Sequence, residues 1–167
     1  MINQIKLDNF GPLSSINWSE LGKINLVIGG NGSGKTFLLK SIYSSLRTLE
    51  YYKRGNEQRS ASEILADKLY WTFQAEKIGD LVGKGTDVPL SSCITLDNKE
   101  FSYSFGKDTT KQITLLESHV PPRSSNSIFL PAILERSTAC CSNVECGGLP
   151  AGNGGVGWIG RDTRRRG

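Results

Sequence analysis

The feature that most narrows the folds open to this chain is the unbroken run Gly29-Gly30-Asn31-Gly32-Ser33-Gly34-Lys35-Thr36. It satisfies the pattern G-x-x-x-x-G-K-[ST], which carries weight only when a strand precedes it and a helix follows. Both flanks qualify. Lys23-Ile24-Asn25-Leu26-Val27-Ile28 is short, apolar and β-branched, and predicts a buried parallel strand. Leu38, Leu39, Ile42, Leu46 and Leu49 recur at helical spacing, so a helix is expected to open near Thr36.

The residue types suit a phosphate cradle. Gly29, Gly30, Gly32 and Gly34 let the backbone take conformations closed to other residues and approach a ligand closely. The N–H groups along Gly30, Asn31, Gly32, Ser33 and Gly34 would converge on an anion at the positive end of the following helix. Lys35 would reach the β- and γ-phosphates of ATP as a point charge, and the Thr36 hydroxyl would be a ligand for Mg²⁺. A nucleoside triphosphate is the expected ligand.

Composition sets the outer bounds. The length of 167 residues suits one domain with a real core. No apolar run approaches the length of a membrane span, so no membrane partner is expected. The opening Met1-Ile2-Asn3-Gln4-Ile5-Lys6 lacks the basic-then-apolar layout of a signal peptide, and a cytoplasmic setting is expected. Of the formal charge of +4, half falls in residues 132–167, so residues 1–131 carry an ordinary soluble surface rather than a basic face.

In chain order, Ile2, Ile5, Leu7 and Phe10 predict a first strand that ends at the turn Asn9-Phe10-Gly11-Pro12. Ser15-Ile16-Asn17-Trp18 alternates and is expected to pair back on it. Small P-loop kinases start almost directly with the strand of the glycine loop, whereas here two strands come first. The opening I-x-x-I-x-L-x-N-F-G-P, followed by L-V-I-G-G-N-G-S-G-K-T, resembles the N-terminal half of an ABC-type ATPase head. Its nearest pattern is the SMC, RecF and OLD-like branch of AAA family ATPases. The resemblance rests on residues 1–50. It implies an α/β P-loop NTPase fold with a parallel core strand plus an antiparallel β-meander. It also implies ATP hydrolysis by paired heads, and in many members work on DNA, in repair or anti-phage defence. By the same resemblance Asn9 and Phe10 would stand near the nucleotide base. Taken alone, Phe10 reads as core.

Tyr51-Tyr52-Lys53-Arg54 sets aromatic rings beside cations, as a nucleic-acid contact would, but reads better as a helix end with solvated charges. Ser60 to Glu63 offers a capping box ahead of Ile64, Leu65, Leu69, Trp71 and Phe73. A helix of three to four turns follows, inside an inserted segment at about 53–82, with its aromatics expected in the core. Cys93 to Leu96, then Phe101 to Phe105, then Gln112 to Glu117 predict the meander. Asp97 ends an apolar strand in the outline of a Walker B carboxylate. Asn98 and Lys99 after it favour a hairpin turn instead. Ser127 to Ala132 predicts one more strand, broken at Pro131.

The partial ATPase domain is expected to span residues 1–132. Beyond it lies a Cys/Gly/Arg-rich tail, 133–167, expected to be disordered or a non-native continuation. Cys140, Cys141 and Cys146 fall short of the four paired ligands of a structural zinc site. No Walker B pair or signature loop is recognisable. The expected function is therefore ATP binding, with hydrolysis supplied by a C-terminal half or a second head. The alternatives are a small P-loop kinase using Asp97, and a non-enzymatic interaction module.

Overall fold

A computed structural model describes residues 1–130 apart from Thr86 and Thr114, so the tail and its three cysteines lie outside the described residues. Five strands form one sheet in the order β2-β1-β3-β4-β5, with every neighbouring pair antiparallel. They are β1 (Ile2–Phe10), β2 (Leu13–Ser19), β3 (Leu90–Leu96), β4 (Lys99–Phe105) and β5 (Leu115–Ser118). Helices α1 (Lys35–Tyr51) and α2 (Ala61–Phe73), with a 3-10 turn at Ile78–Leu81, come between β2 and β3.

Period-two alternation decides which sheet face is dry. Ile5 and Leu7 of β1 pair with Ile94 and Ser92 of β3, and Ile94 in turn with Phe101 of β4. All five are buried, while Lys6 and Asp8 of β1 stand exposed on the other face. Phe10, Leu49, Ile64, Leu65, Leu69, Ile78 and Leu90 complete a core with no solvent exposure. Each such side chain contributes about 1.5–3 kcal/mol by leaving water.

Local chemistry accounts for the joints. Gly11-Pro12 links β1 to β2 with Gly11 at φ 56°. Asp97-Asn98 links β3 to β4 with both residues left-handed, at φ 48° and 62°, the two-residue turn whose twist matches antiparallel strands. The capping box forms as expected. The Ser60 hydroxyl accepts from the Glu63 amide at 3.3 Å, and the Glu63 carboxylate accepts from the Ser60 amide at 2.7 Å. Residue Gln74, left-handed at φ 54°, ends α2.

Helix α1 buries an unusual face. Ser41, Ser44, Ser45 and Thr48 lie inside, and three of their hydroxyls bond back to carbonyls of the preceding turn at 2.8–2.9 Å. Small side chains there let the helix approach its neighbours closely. The apolar row Leu39, Ile42 and Leu46 is only partly covered, with Ile42 and Leu46 packed at the edge of the core and all three lining a groove with residues 127–130. Residues 123–130 run back along α1. The Arg123 amide donates to Leu49 O at 3.0 Å, Ser127 bonds Glu50, and Phe129 packs on Tyr43 with ring centroids 5.7 Å apart.

Two expected strands did not form. Residues 23–28 pair with no strand among the described residues, and Ile24, Leu26 and Ile28 are 93%, 78% and 82% exposed. Residues 127–130 likewise carry no ladder, with Ile128 and Leu130 exposed. The physical reason is the same for both. A parallel strand is held by parallel neighbours and by layers on both faces, and the described residues supply neither. The buried parallel core strand expected over residues 23–28 is thus corrected to an irregular, unpaired segment.

Candidate phosphate-binding site

Gly34 is the N-cap of α1, left-handed at φ 86°, and the first helical bond runs from the Leu38 amide to Gly34 O at 2.9 Å. A Cβ on Gly34 would run into Leu13 and press on Pro12, so this glycine is required by both torsion and space. Gly32, at φ 80°, meets nothing within 4 Å and is required by torsion alone. No side chain caps α1 and no acid stands in its first turn, so the positive end of a 17-residue helix opens on the loop.

The β1–β2 turn supports this loop from below. A Cβ on Gly11 would collide with the Phe37 ring, which also packs on Phe73 at 5.1 Å between centroids. Phe10 packs on Phe73 at 5.6 Å and is wholly buried, so its core reading holds. Asn9, also left-handed at φ 55°, bonds the 83–88 loop through its amide donor to Val88 O and its carbonyl from the Gly83 amide. A cleft of about 290 Å³ results, lined by Pro12 and residues 31–37. Pro12 and Phe37 escaped the sequence reading. The available signal was their position, since Phe37 directly follows the lysine–threonine pair.

Within the cleft Lys35 donates to Gly29 O at 2.7 Å and Gly30 O at 2.6 Å, and lies 3.5 Å from the Ser33 hydroxyl. The ammonium therefore sits at the centre of its own loop, bound to groups that a phosphate would have to outcompete. Phosphate oxygens can do so, because an ion pair between ammonium and polyanion exceeds a bond to a neutral carbonyl. Asn31, Ser33 and Thr36 line the same cleft, and Thr36 is exposed. All eight residues of the motif thus fall in one stretch of loop and first helical turn.

Asp97 falls elsewhere. Its carboxylate bonds the Met1 ammonium, which holds its pKa below the usual carboxylate range. Met1 stands at one end of β1 and Gly11, against Phe37, at the other. Nine strand residues at about 3.3 Å each separate the two ends by roughly 30 Å. Asp97 is a hairpin turn, and the kinase reading that needed it as a metal carboxylate is withdrawn. No group of three or more metal-ligating side chains occurs among the described residues.

The Tyr51-Tyr52 cluster is a helix end, as expected. Its rings are occupied internally: Arg47 and Lys68 flank Tyr51 at 4.7 and 3.9 Å, and Lys53 covers Tyr52 at 5.0 Å. Glu50, wholly buried, anchors the outer segment through Ser127 at 2.6 Å and Arg47 at 2.8 Å. Burial alone would raise its pKa, but these bonds outweigh it and hold the carboxyl below its ordinary value.

No family model matches the chain. A curated relative, the DNA double-strand break repair Rad50 ATPase of Nanoarchaeum equitans (strain Kin4-M), is 34% identical over 74 residues. That alignment covers 41% of this chain and 9% of the relative's length, so the chain spans about a tenth of that protein. A solved structure from work on ATP-driven dimerization and DNA-stimulated activation of SMC ATPases superposes with a TM-score of 0.43 and 17% identity. It covers 65% of this chain and 64% of that one. Part of this chain is thus similar in sequence to a Rad50-type ATPase. No helix among the described residues is long and apolar enough to cross a membrane.

Proposed function

We propose that this chain binds ATP with Mg²⁺ through residues 29–36, as the N-terminal portion of an SMC/Rad50-like ATPase head. The observation that carries the reading is the loop itself. A lysine ammonium lies at the centre of a glycine-rich turn that opens on the uncapped end of a long helix, with a threonine hydroxyl exposed beside it. Lys35 holds the β- and γ-phosphates, the loop amides hold the remaining charge, and Thr36 orients the metal. These groups bind and neutralise the triphosphate.

Activation of the attacking water falls to a carboxylate from a complementary half, contributed by further polypeptide or a second head. The exposed rows Ile24, Leu26, Ile28 and Ile128, Leu130 support this assignment. They are apolar, exposed and unpaired, the condition of segments that take cover when neighbours arrive. A role in DNA repair is proposed on the similarity to the Rad50 relative alone.

The test is a titration of the purified chain with a fluorescent ATP analogue and Mg²⁺, for wild type and Lys35→Ala, with phosphate release followed in parallel. Lys35-dependent binding without turnover supports the reading. Robust turnover by the chain alone sinks the two-part head, and absence of binding sinks the ATP site.

A further inference from the structure

A triphosphate in the loop leaves its nucleoside to be seated, and the two residues that the family resemblance puts near the base are already committed. Phe10 is wholly buried, and the Asn9 side-chain amide donates to Val88 O. The cleft offers another surface. Backbone and polar side chains line it along residues 31–36, and Pro12 and Phe37 supply its apolar side chains. Phe37 is the second residue after Lys35, in the first turn of α1. Its backbone therefore lies only about 3 Å further along the helix axis than that of the lysine.

The Phe37 ring is held from behind. Phe73 packs on it at 5.1 Å between centroids and is itself backed by Phe10 at 5.6 Å. Gly11 lies against another side, where a Cβ would come within 2.4 Å of the ring. Phe73 turns toward the loop, whereas Trp71, two positions earlier and expected in the core, is 68% exposed. With these sides packed, Phe37 is still only partly buried and borders the cleft. An aromatic surface fixed in advance costs a ligand little ordering to use.

A nucleotide divides chemically as this cleft does. Its phosphates are anionic and suit the loop amides and the ammonium. Its base is planar, uncharged and aromatic, and gains by stacking on a ring. Inorganic phosphate would leave the Pro12–Phe37 wall unused.

We propose that Phe37, with Pro12 beside it, seats the nucleoside, the base lying on the ring while the phosphates stay in the loop. Stacking is tolerant of base identity, because every base has a π-face. The site therefore takes ATP and GTP alike. This role of Phe37 rests on the triphosphate site proposed above.

The test is calorimetric titration with the Mg²⁺ complexes of ATP, GTP and inorganic tripolyphosphate, on wild type, Phe37→Leu and Phe37→Tyr. Wild type should bind ATP and GTP within about threefold of each other. Both should bind about tenfold more tightly than tripolyphosphate, despite its greater charge, the order expected for one stacked base. Phe37→Leu keeps an apolar side chain against Phe73 and should lose about tenfold on ATP and nothing on tripolyphosphate. Phe37→Tyr keeps the ring and should bind ATP as wild type does. Tripolyphosphate held as tightly as ATP by wild type would overturn the proposal, and needs no variant to be seen. Unchanged ATP affinity in Phe37→Leu would overturn it, as would equal losses on both ligands, which mark a structural role. A strong preference for ATP over GTP would overturn it too, since a base edge would then be read. Failure of the phosphate site looks different: wild type would bind neither ATP nor tripolyphosphate, and the role of Phe37 would fall with it.

Discussion

The closed and open parts of the molecule differ in kind. In one, a five-stranded antiparallel sheet and α2 close over a core whose Ile5, Leu7, Ile94 and Phe101 see no solvent. In the other, residues 23–28 and 127–130 pair with no strand among the described residues, with five large apolar side chains in water at 78–93% exposure. The closed side is built from hairpins and close antiparallel pairs, whose partners are supplied within the described residues. The open side consists of segments that need parallel neighbours. The phosphate loop sits at the seam, its last glycine pressed against Leu13 of the closed side and its first joined to Ile28 of the open one.

The comparison is broken most forcefully by unequal responses to substitution. Phe101→Ala empties a fully buried site and should cost about 3–5 kcal/mol in a urea melt. Leu26→Ser, an equally apolar residue on the open side, should stay within about 0.5 kcal/mol of wild type. It should also raise solubility. A large loss from Leu26→Ser would mean that the open side is closed in solution.

Next in size is the anchor of the outer segment. Glu50→Ala leaves Arg47 without its buried partner and should cost about 3 kcal/mol, read by the same melt. Because the folded carboxyl lies below its ordinary value of 4.5, its contribution is fully present above pH 4.5 and is lost as pH falls through the folded pKa. Acid titration followed at Phe129 should therefore release residues 127–130 below that pH, and Glu50→Gln should abolish the transition.

At the seam, Gly34→Ala should lower stability by about 1–3 kcal/mol through its left-handed torsion and its clash with Leu13, and should abolish nucleotide binding. Gly30→Ala, which meets nothing within 4 Å, should leave the melt nearly unchanged, so any loss of nucleotide affinity reports the ligand directly. The smallest effect is expected at Asp97→Asn. Asparagine accepts the same left-handed turn, and nucleotide affinity should not move. A loss of affinity there would restore the metal-carboxylate reading.

These contrasts also explain what was legible in advance. The hairpin at Asp97-Asn98, the capping box at Ser60 and the loop-to-helix junction at Gly34 are set by residues adjacent in sequence, and each formed as read. The fate of Ile24, Leu26 and Ile28 was not legible, because a parallel strand depends on segments far away in sequence or on another chain. Trp71 was misplaced for a related reason. Helical spacing put it with Leu69 and Phe73, but a helix packed on one side leaves a residue two positions from Leu69 on its far face. The serines on the inner face of α1 were hidden too, since hydrophobic periodicity points to Leu38 and Leu49, which are buried, and says nothing of the hydroxyls buried between them.

The central claim is a triphosphate site complete at the seam beside an open strand row, and hydrogen exchange reads both at once. Amides of β1, β3 and β4 should be protected with or without ligand, and those of residues 23–28 should exchange fast in the free chain. Added ATP and Mg²⁺ should slow exchange across residues 30–36, and should fail to do so in Lys35→Ala. Protection of residues 23–28 equal to that of β3 in the free chain, or no response of residues 30–36 to nucleotide, would contradict the account.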